Sequence, residues 1–209
     1  MASLTETSPV TVPSLLAAKG KERIAMLALY DAPSAAAADA AGIDVLLVGD
    51  SVEMAVYGQP NTLSATMDAM VKHARAVSGA ARRALVVGDM PFLSYQADPR
   101  EAVHNAGRFL SEGGCAAVKL EGGQRSLPAV EAIVGADIPV MGHVGLTPQS
   151  YRKLGGFKVQ GREASAPQRT RRRGSGSDAK DSAAEGKAPA CTSARKARAA
   201  SSNALPNSA

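Results

Sequence analysis

Four short apolar runs in this sequence each end in residues able to do chemistry. VLLVGDS (45–51) closes on an acid and a hydroxyl, ALVVGD (84–89) on an acid, AAVKLE (116–121) on Lys119 and Glu121, and IPVMGH (138–143) on a histidine. Asp50, Asp89 and Glu121 supply hard oxygen atoms that suit Mg2+ or a similar divalent ion, whose remaining positions go to water and substrate. Such an ion polarises a carbonyl and stabilises the enolate left when a neighbouring proton is removed. Lys119 stands two residues before Glu121, so on the same side of an extended strand, where it can neutralise a substrate carboxylate. Ser51 can donate a hydrogen bond to the same molecule. One acid behind a strand is most simply a helix cap or a lysine's partner; three at matching strand ends are not.

The elements that must position these groups follow from the same runs. Stretches of Val, Leu and Ile without polar alternation read as strands buried on both faces, as in a parallel sheet. Strands are expected at 24–30, 45–51, 84–89, 116–121 and 138–143, and helices at 33–41, 66–80, 99–112 and 128–134. Three of these helices start at Pro33, Pro99 and Pro128, and the fourth is capped by Ser64 or Thr66. Within 66–80, Met67, Met70, Val71, Ala74 and Val77 recur at helical spacing, so the methionines are core. A short helix at 14–21, capped by Ser14, presents Leu15 and Leu16 to the bottom of a barrel. Residues 52–66 are expected to form a long irregular connection on the catalytic side. The fold class is α/β, a β-α repeat run five times, whose acids and histidine converge at the carboxyl ends of parallel barrel strands.

Of the 209 residues 45% are hydrophobic, enough for the core of one domain if spread evenly. They are not: beyond position 162 alanine is joined only by Cys191 and Leu205 among Ser, Arg, Lys, Gly and Pro. That segment carries nine Lys+Arg and four Asp+Glu, the whole of the chain's net +5, so residues 1–162 are neutral. Aromatics are 3% overall and absent from the tail, which speaks against nucleic acid as a partner, since its recognition needs a charged folded face and stacking rings. Cys115 and Cys191 lack metal or redox spacing and read as inert thiols of a reducing compartment. His73 and His104 lie singly in expected helices and read as packing or surface residues. No signal peptide and no run near the roughly 20 apolar residues of a membrane span are visible, so a cytoplasmic protein is expected.

LLVGDS, DMPF (89–92) with SY at 94–95, VKLEGG (118–123), GHVGLTPQS (142–150) and GGFKVQGR (155–162) closely resemble the ketopantoate hydroxymethyltransferase family, in its order and spacing over about residues 12–162. The resemblance implies a Mg2+-dependent (β/α)8 TIM barrel of the phosphoenolpyruvate/pyruvate type. It implies transfer of a one-carbon unit from the co-substrate 5,10-methylenetetrahydrofolate to 3-methyl-2-oxobutanoate, giving 2-dehydropantoate on the way to pantothenate and coenzyme A. Matched motif by motif, Asp50, Asp89 and Glu121 fall on the metal-associated acids. Asp50, Ser51, Asp89 and Lys119 fall on positions that hold the 2-oxo acid, and His143 on a histidine lining the same pocket. The family's homo-oligomer is a decamer of two five-membered rings.

After Arg162 the likeness stops. The family continues into a leucine-rich helix and strands carrying the glutamate that serves as general base; here 163–209 offers no buried strand, and neither Glu163 nor Glu185 sits in that context. No catalytic residue is assigned. The expected organisation is a flexible N-terminus at 1–13, an incomplete barrel of about five units at 14–162 and a disordered tail at 163–209, of the composition that a wrong-frame reading of a GC-rich gene produces. Such a barrel has open parallel edges, and loss of the base alone removes on the order of 10² to 10⁴ in rate. Two other readings stand beside this one: a barrel lyase or mutase of the isocitrate lyase and phosphoenolpyruvate mutase kind, and a non-catalytic remnant or binding module.

Overall fold

The computed structural model describes residues 8–157 and a two-residue strand at 190–191. In chain order the elements are α1 (Val12–Ala18), β1 (Met26–Ala28), α2 (Ala32–Ala40), β2 (Val45–Val48), α3 (Val52–Ala55), α4 (Met67–Ala80) and β3 (Leu85–Asp89). They continue as α5 (Pro99–Ser111), β4 (Ala117–Glu121), α6 (Leu127–Gly135), β5 (Val140–His143), α7 (Tyr151–Leu154) and β6 (Ala190–Cys191). The strands form one parallel sheet in sequential order. That is the order of a barrel wall, as the apolar runs require.

Alternation along each strand sorts the side chains between two cores. Val45, Leu47, Leu85, Val87, Ala117 and Met141 form one cluster with Val10 and Leu15, on the face that a barrel turns inward. Leu46, Val48, Val86, Val118, Leu120 and Val140 form the other with Met70, Val77, Phe109 and Ile133 of the helices. Gly88 falls in the second set, and a Cβ there would lie 2.2 Å from the Phe109 ring. Glycine is what lets α5 lie this close to β3.

Three expectations change. First, α1 is capped by Thr11, not Ser14: the Thr11 side chain accepts from the Ser14 N–H while Ser14 reaches back to the Thr11 N–H. Pro13 explains this, because a residue without an N–H fits only the first helical turn, which leaves Ser14 third in the helix. Leu15 does plug the inner cluster, whereas Leu16 is half-buried outside it. The ordered fold also begins before 14, since Val10 is buried and its N–H donates to the Arg83 carbonyl at 2.8 Å. Second, the connection after Ser51 starts with the short helix α3, and Thr66 alone caps α4, Ser64 bonding Glu53 instead.

Third, the region beyond 162 does contribute a strand. Gly142 registers with Ala190 and His143 with Cys191 in parallel. The free edge of β5 presents backbone N–H and C=O groups that any extended segment can satisfy, whatever its side chains. The rest of the expected tail, and residues 1–7 of the expected flexible N-terminus, lie outside the described residues. Among the described residues no helix is long and apolar enough to cross a membrane.

Candidate active site

The same period of two places chemistry on the inward face. Asp89 follows Leu85 and Val87, Lys119 and Glu121 follow Ala117, and His143 follows Met141; in register, Asp89 faces Lys119 and Glu121 faces His143. β2 ends one layer earlier, and a turn through Gly49 delivers Asp50 and Ser51. A Cβ on Gly49 would stand 2.7 Å from the Ser51 hydroxyl, so a side chain there would turn that hydroxyl aside.

Lys119 Nζ donates to both Asp89 oxygens, at 2.7 and 2.8 Å, and lies 3.7 Å from Glu121 Oε1. Burial alone would pull the lysine down, but the charges of Asp89 and then Glu121 more than offset it and hold Lys119 above the usual lysine value. Burial holds the Asp89 carboxyl above its ordinary value, Lys119 pulling it only part of the way back. Two N–H···O bonds tie the lysine to both carboxyl oxygens. Asp50 directs its backbone N–H at Asp89 Oδ2, 3.4 Å away. Its own carboxyl is pushed up to about 7, by burial first and by the Asp89 charge second. Glu121 Oε1 meets His143 Nδ1 at 2.9 Å, and its Oε2 accepts the Gln149 N–H at 3.1 Å.

Asp50, Asp89, Lys119 and Glu121 thus converge, with Ser51 beside them, its hydroxyl 2.9 Å from that of Tyr30. Lys119 is paired with Asp89, and among the described residues no three His, Cys, Asp or Glu side chains meet as a group that could hold a metal. Two carboxylates remain suited to one. Mg2+ is commonly held by one or two carboxylates plus water, and Asp50, with a raised pKa beside Asp89, is an acid short of positive charge. The donor set therefore fits a hard dication.

Gln149 and Tyr95 carry no role in the sequence reading yet sit at the centre. Gln149 Nε2 donates to Asp50 Oδ2 at 3.0 Å and to the Met90 carbonyl at 2.9 Å, and its Oε1 accepts from Tyr95 at 2.6 Å. Both occur in the quoted motifs, but neutral polar side chains have no chemistry that spacing alone would flag. Elsewhere acids and histidines are structural: Asp39 accepts from the N–H groups of Arg82, Arg83 and Ala84, and Asp44 pairs with Arg83 at 2.8 Å. His73 bridges the Tyr30 carbonyl and the Tyr57 hydroxyl. Cys115 is buried, which pushes its thiol up to about 12 and leaves it inert.

A parallel β-α sheet with its polar cluster at the strands' carboxyl ends has the architecture of a barrel wall, and solved structures share that fold. Phosphonopyruvate hydrolase, in a complex with oxalate and Mg++, matches with a TM-score of 0.60 at 15% identity over 81% of this chain and 60% of its own. The phosphoenolpyruvate phosphomutase from Streptomyces platensis subsp. rosaceus matches with a TM-score of 0.53 at 18% identity over 63% and 53%. The particular family is set by sequence: the profile of ketopantoate hydroxymethyltransferase matches residues 9–180, and the chain belongs to that family. It is 55% identical to the 3-methyl-2-oxobutanoate hydroxymethyltransferase of Oleidesulfovibrio alaskensis over 79% of this chain and 57% of the relative. The enzyme of that name from Moorella thermoacetica is 57% identical over 76% and 60%. The chain thus spans little more than half the length of these relatives.

Proposed function

We propose that this site serves hydroxymethyl transfer from 5,10-methylenetetrahydrofolate to 3-methyl-2-oxobutanoate. The carbon next to the keto group loses a proton and bonds to the one-carbon unit, whose two bonds to folate nitrogens break, the lost proton and a hydrogen of water passing to those nitrogens. Water supplies the hydroxyl, and 2-dehydropantoate and tetrahydrofolate leave. The observation that carries this reading is the buried cluster of Asp50, Asp89, Lys119 and Glu121, in a chain of this family.

Asp50 and Asp89 would hold Mg2+, with Glu121 completing the acid set from its place between His143 and Gln149. The ion, when bound, polarises the 2-oxo group, as an Mg++-holding neighbour of the same fold makes reasonable. Lys119 favours the charged form of Asp89 against its burial and turns residual positive charge toward the substrate carboxylate. Ser51, aligned by Tyr30, donates to the same substrate. No residue of 8–157 is assigned the proton abstraction, so turnover by this chain is expected on the order of 10² to 10⁴ below that of a complete relative. A cytoplasmic location and a homo-oligomer belong to the same proposal. A lyase or mutase reaction has only fold likeness behind it.

Purified chain is assayed with both substrates and Mg2+, with Asp50→Ala as control. Slow turnover lost in Asp50→Ala supports the reading. Turnover that survives the substitution, or 3-methyl-2-oxobutanoate that fails to bind with Mg2+, refutes it.

A further inference from the structure

The three acids of the site carry six carboxylate oxygens, and among the described residues five of them are already engaged. Lys119 Nζ takes both oxygens of Asp89, His143 Nδ1 and the Gln149 N–H take the two of Glu121, and Gln149 Nε2 takes Oδ2 of Asp50. Asp50 Oδ1 is left. Gln149 thus holds an acid from the turn after β2 with its side chain and an acid of β4 with its backbone. Its own place is fixed locally. Pro148 opens the short 3-10 turn Pro148–Ser150, the Ser150 N–H donates to the Thr147 carbonyl at 2.9 Å, and Gln149 between them is buried.

The sense of the Gln149 amide follows from its neighbours. The Tyr95 hydroxyl accepts the Glu121 N–H at 3.0 Å and gives its one proton to Gln149 Oε1, which also accepts from Gln96 Nε2 at 3.0 Å. Nε2 faces two acceptors, Asp50 Oδ2 and the Met90 carbonyl. Turned over, the amide would set its oxygen against those acceptors and its nitrogen against the Gln96 donor. A buried amide with every hydrogen-bonding position filled has one orientation, and it hands that orientation to Asp50. We propose that Gln149 is a positioning residue for a divalent ion: by holding Asp50 Oδ2, it presents Asp50 Oδ1 as the open carboxylate oxygen at which the ion is taken up. The inference deepens the hydroxymethyl-transfer reading and rests on its ion-binding part. Carboxylates that ligate metals are themselves held by hydrogen bonds, and loss of such a partner typically costs about 10- to 100-fold in affinity.

The test titrates Mn2+, which takes the same oxygen ligands as Mg2+, into the full chain and counts the free ion by electron paramagnetic resonance, with Mg2+ as competitor. Gln149→Met keeps the length of the side chain and removes both donors, and should bind Mn2+ about tenfold or more weakly than the parent. Tyr95→Phe keeps those donors, loses the bond into Gln149 Oε1, and should weaken binding less. Folding of each variant is checked by urea denaturation. A readout that packing alone would not move is the side-chain amide signal of Gln149 in the proton–nitrogen NMR spectrum of glutamine-labelled protein. Mg2+ should shift that signal in the parent and leave it in place in Asp50→Asn. Unchanged Mn2+ affinity in folded Gln149→Met, a parent amide signal that Mg2+ does not move, or no Mn2+ binding by the parent at millimolar concentration would each overturn the inference. Should Gln149→Met not fold, the amide signal decides. 3-Methyl-2-oxobutanoate is then titrated with Mg2+ present: its failure to bind a parent that takes up the ion counts against the proposed reaction alone.

Discussion

Asp50 is an acid whose surroundings disfavour its charge. Its carboxyl sits at about 7 in the fold against 3.8 as the ordinary value, through burial and then the neighbouring Asp89. A raised acid pKa means the folded state binds the proton more tightly than the unfolded one. Its stabilising contribution is complete below about pH 4 and is lost as pH rises to about 7, with a slope of at most about 1.4 kcal/mol per pH unit. With chelator present, the Asp50 contribution to urea stability should therefore decline from pH 5 to 7.5, and Asp50→Asn should flatten that slope and exceed the parent at pH 7.5. Added Mg2+ should stabilise the parent more at pH 7.5 than at 5.5, and leave Asp50→Asn nearly unchanged. Equal slopes in both proteins would show that Asp50 is not the titrating group. Lys119→Met strands a buried Asp89 carboxylate and should cost about 3–5 kcal/mol, of which Lys119→Met/Asp89→Asn should restore a large part, read by the same denaturation.

Elements are fixed by a few local rules that the packing then exploits. The turn of Pro13 into α1 sets Thr11 as cap, and Thr11→Ala should lower stability by about 1 kcal/mol. The helix is worth more than its cap, because Leu15 fills the inner core at the bottom of the sheet; Leu15→Ala should cost about 2–5 kcal/mol. Between β3 and α5 there is no room at Gly88, so Gly88→Ala should destabilise by about 1–3 kcal/mol through overpacking. Adding Phe109→Leu should relieve part of that loss, and a thermal melt in which the double variant is no better than the sum of the singles would show that the clash is relaxed elsewhere.

At the scale of the whole molecule, among the described residues the sheet ends at β1, where Met26 and Leu27 are 38% and 45% exposed. An apolar end strand invites association, and Leu27→Lys should reduce concentration-dependent light scattering while leaving the circular dichroism spectrum in place. The sequence by itself determined the strand-helix order, the carboxyl-end position of Asp50, Asp89, Lys119, Glu121 and His143, and the family. These rest on apolar runs, period-two alternation and contiguous motifs, all local properties of a chain. It also marked the Leu15, Leu16 pair as a barrel plug, of which Leu15 serves, and His73 as a surface or packing residue. What only the tertiary structure decided depends on partners distant in sequence. Lys119 is engaged by Asp89, Glu121 is held between His143 and Gln149, Gln149 reaches across 99 positions to Asp50, and two residues of the alanine-rich tail pair with β5. Which of several acids a buried lysine or amide meets is set by strand register and loop path in three dimensions, and no residue type or spacing along the chain carries that information.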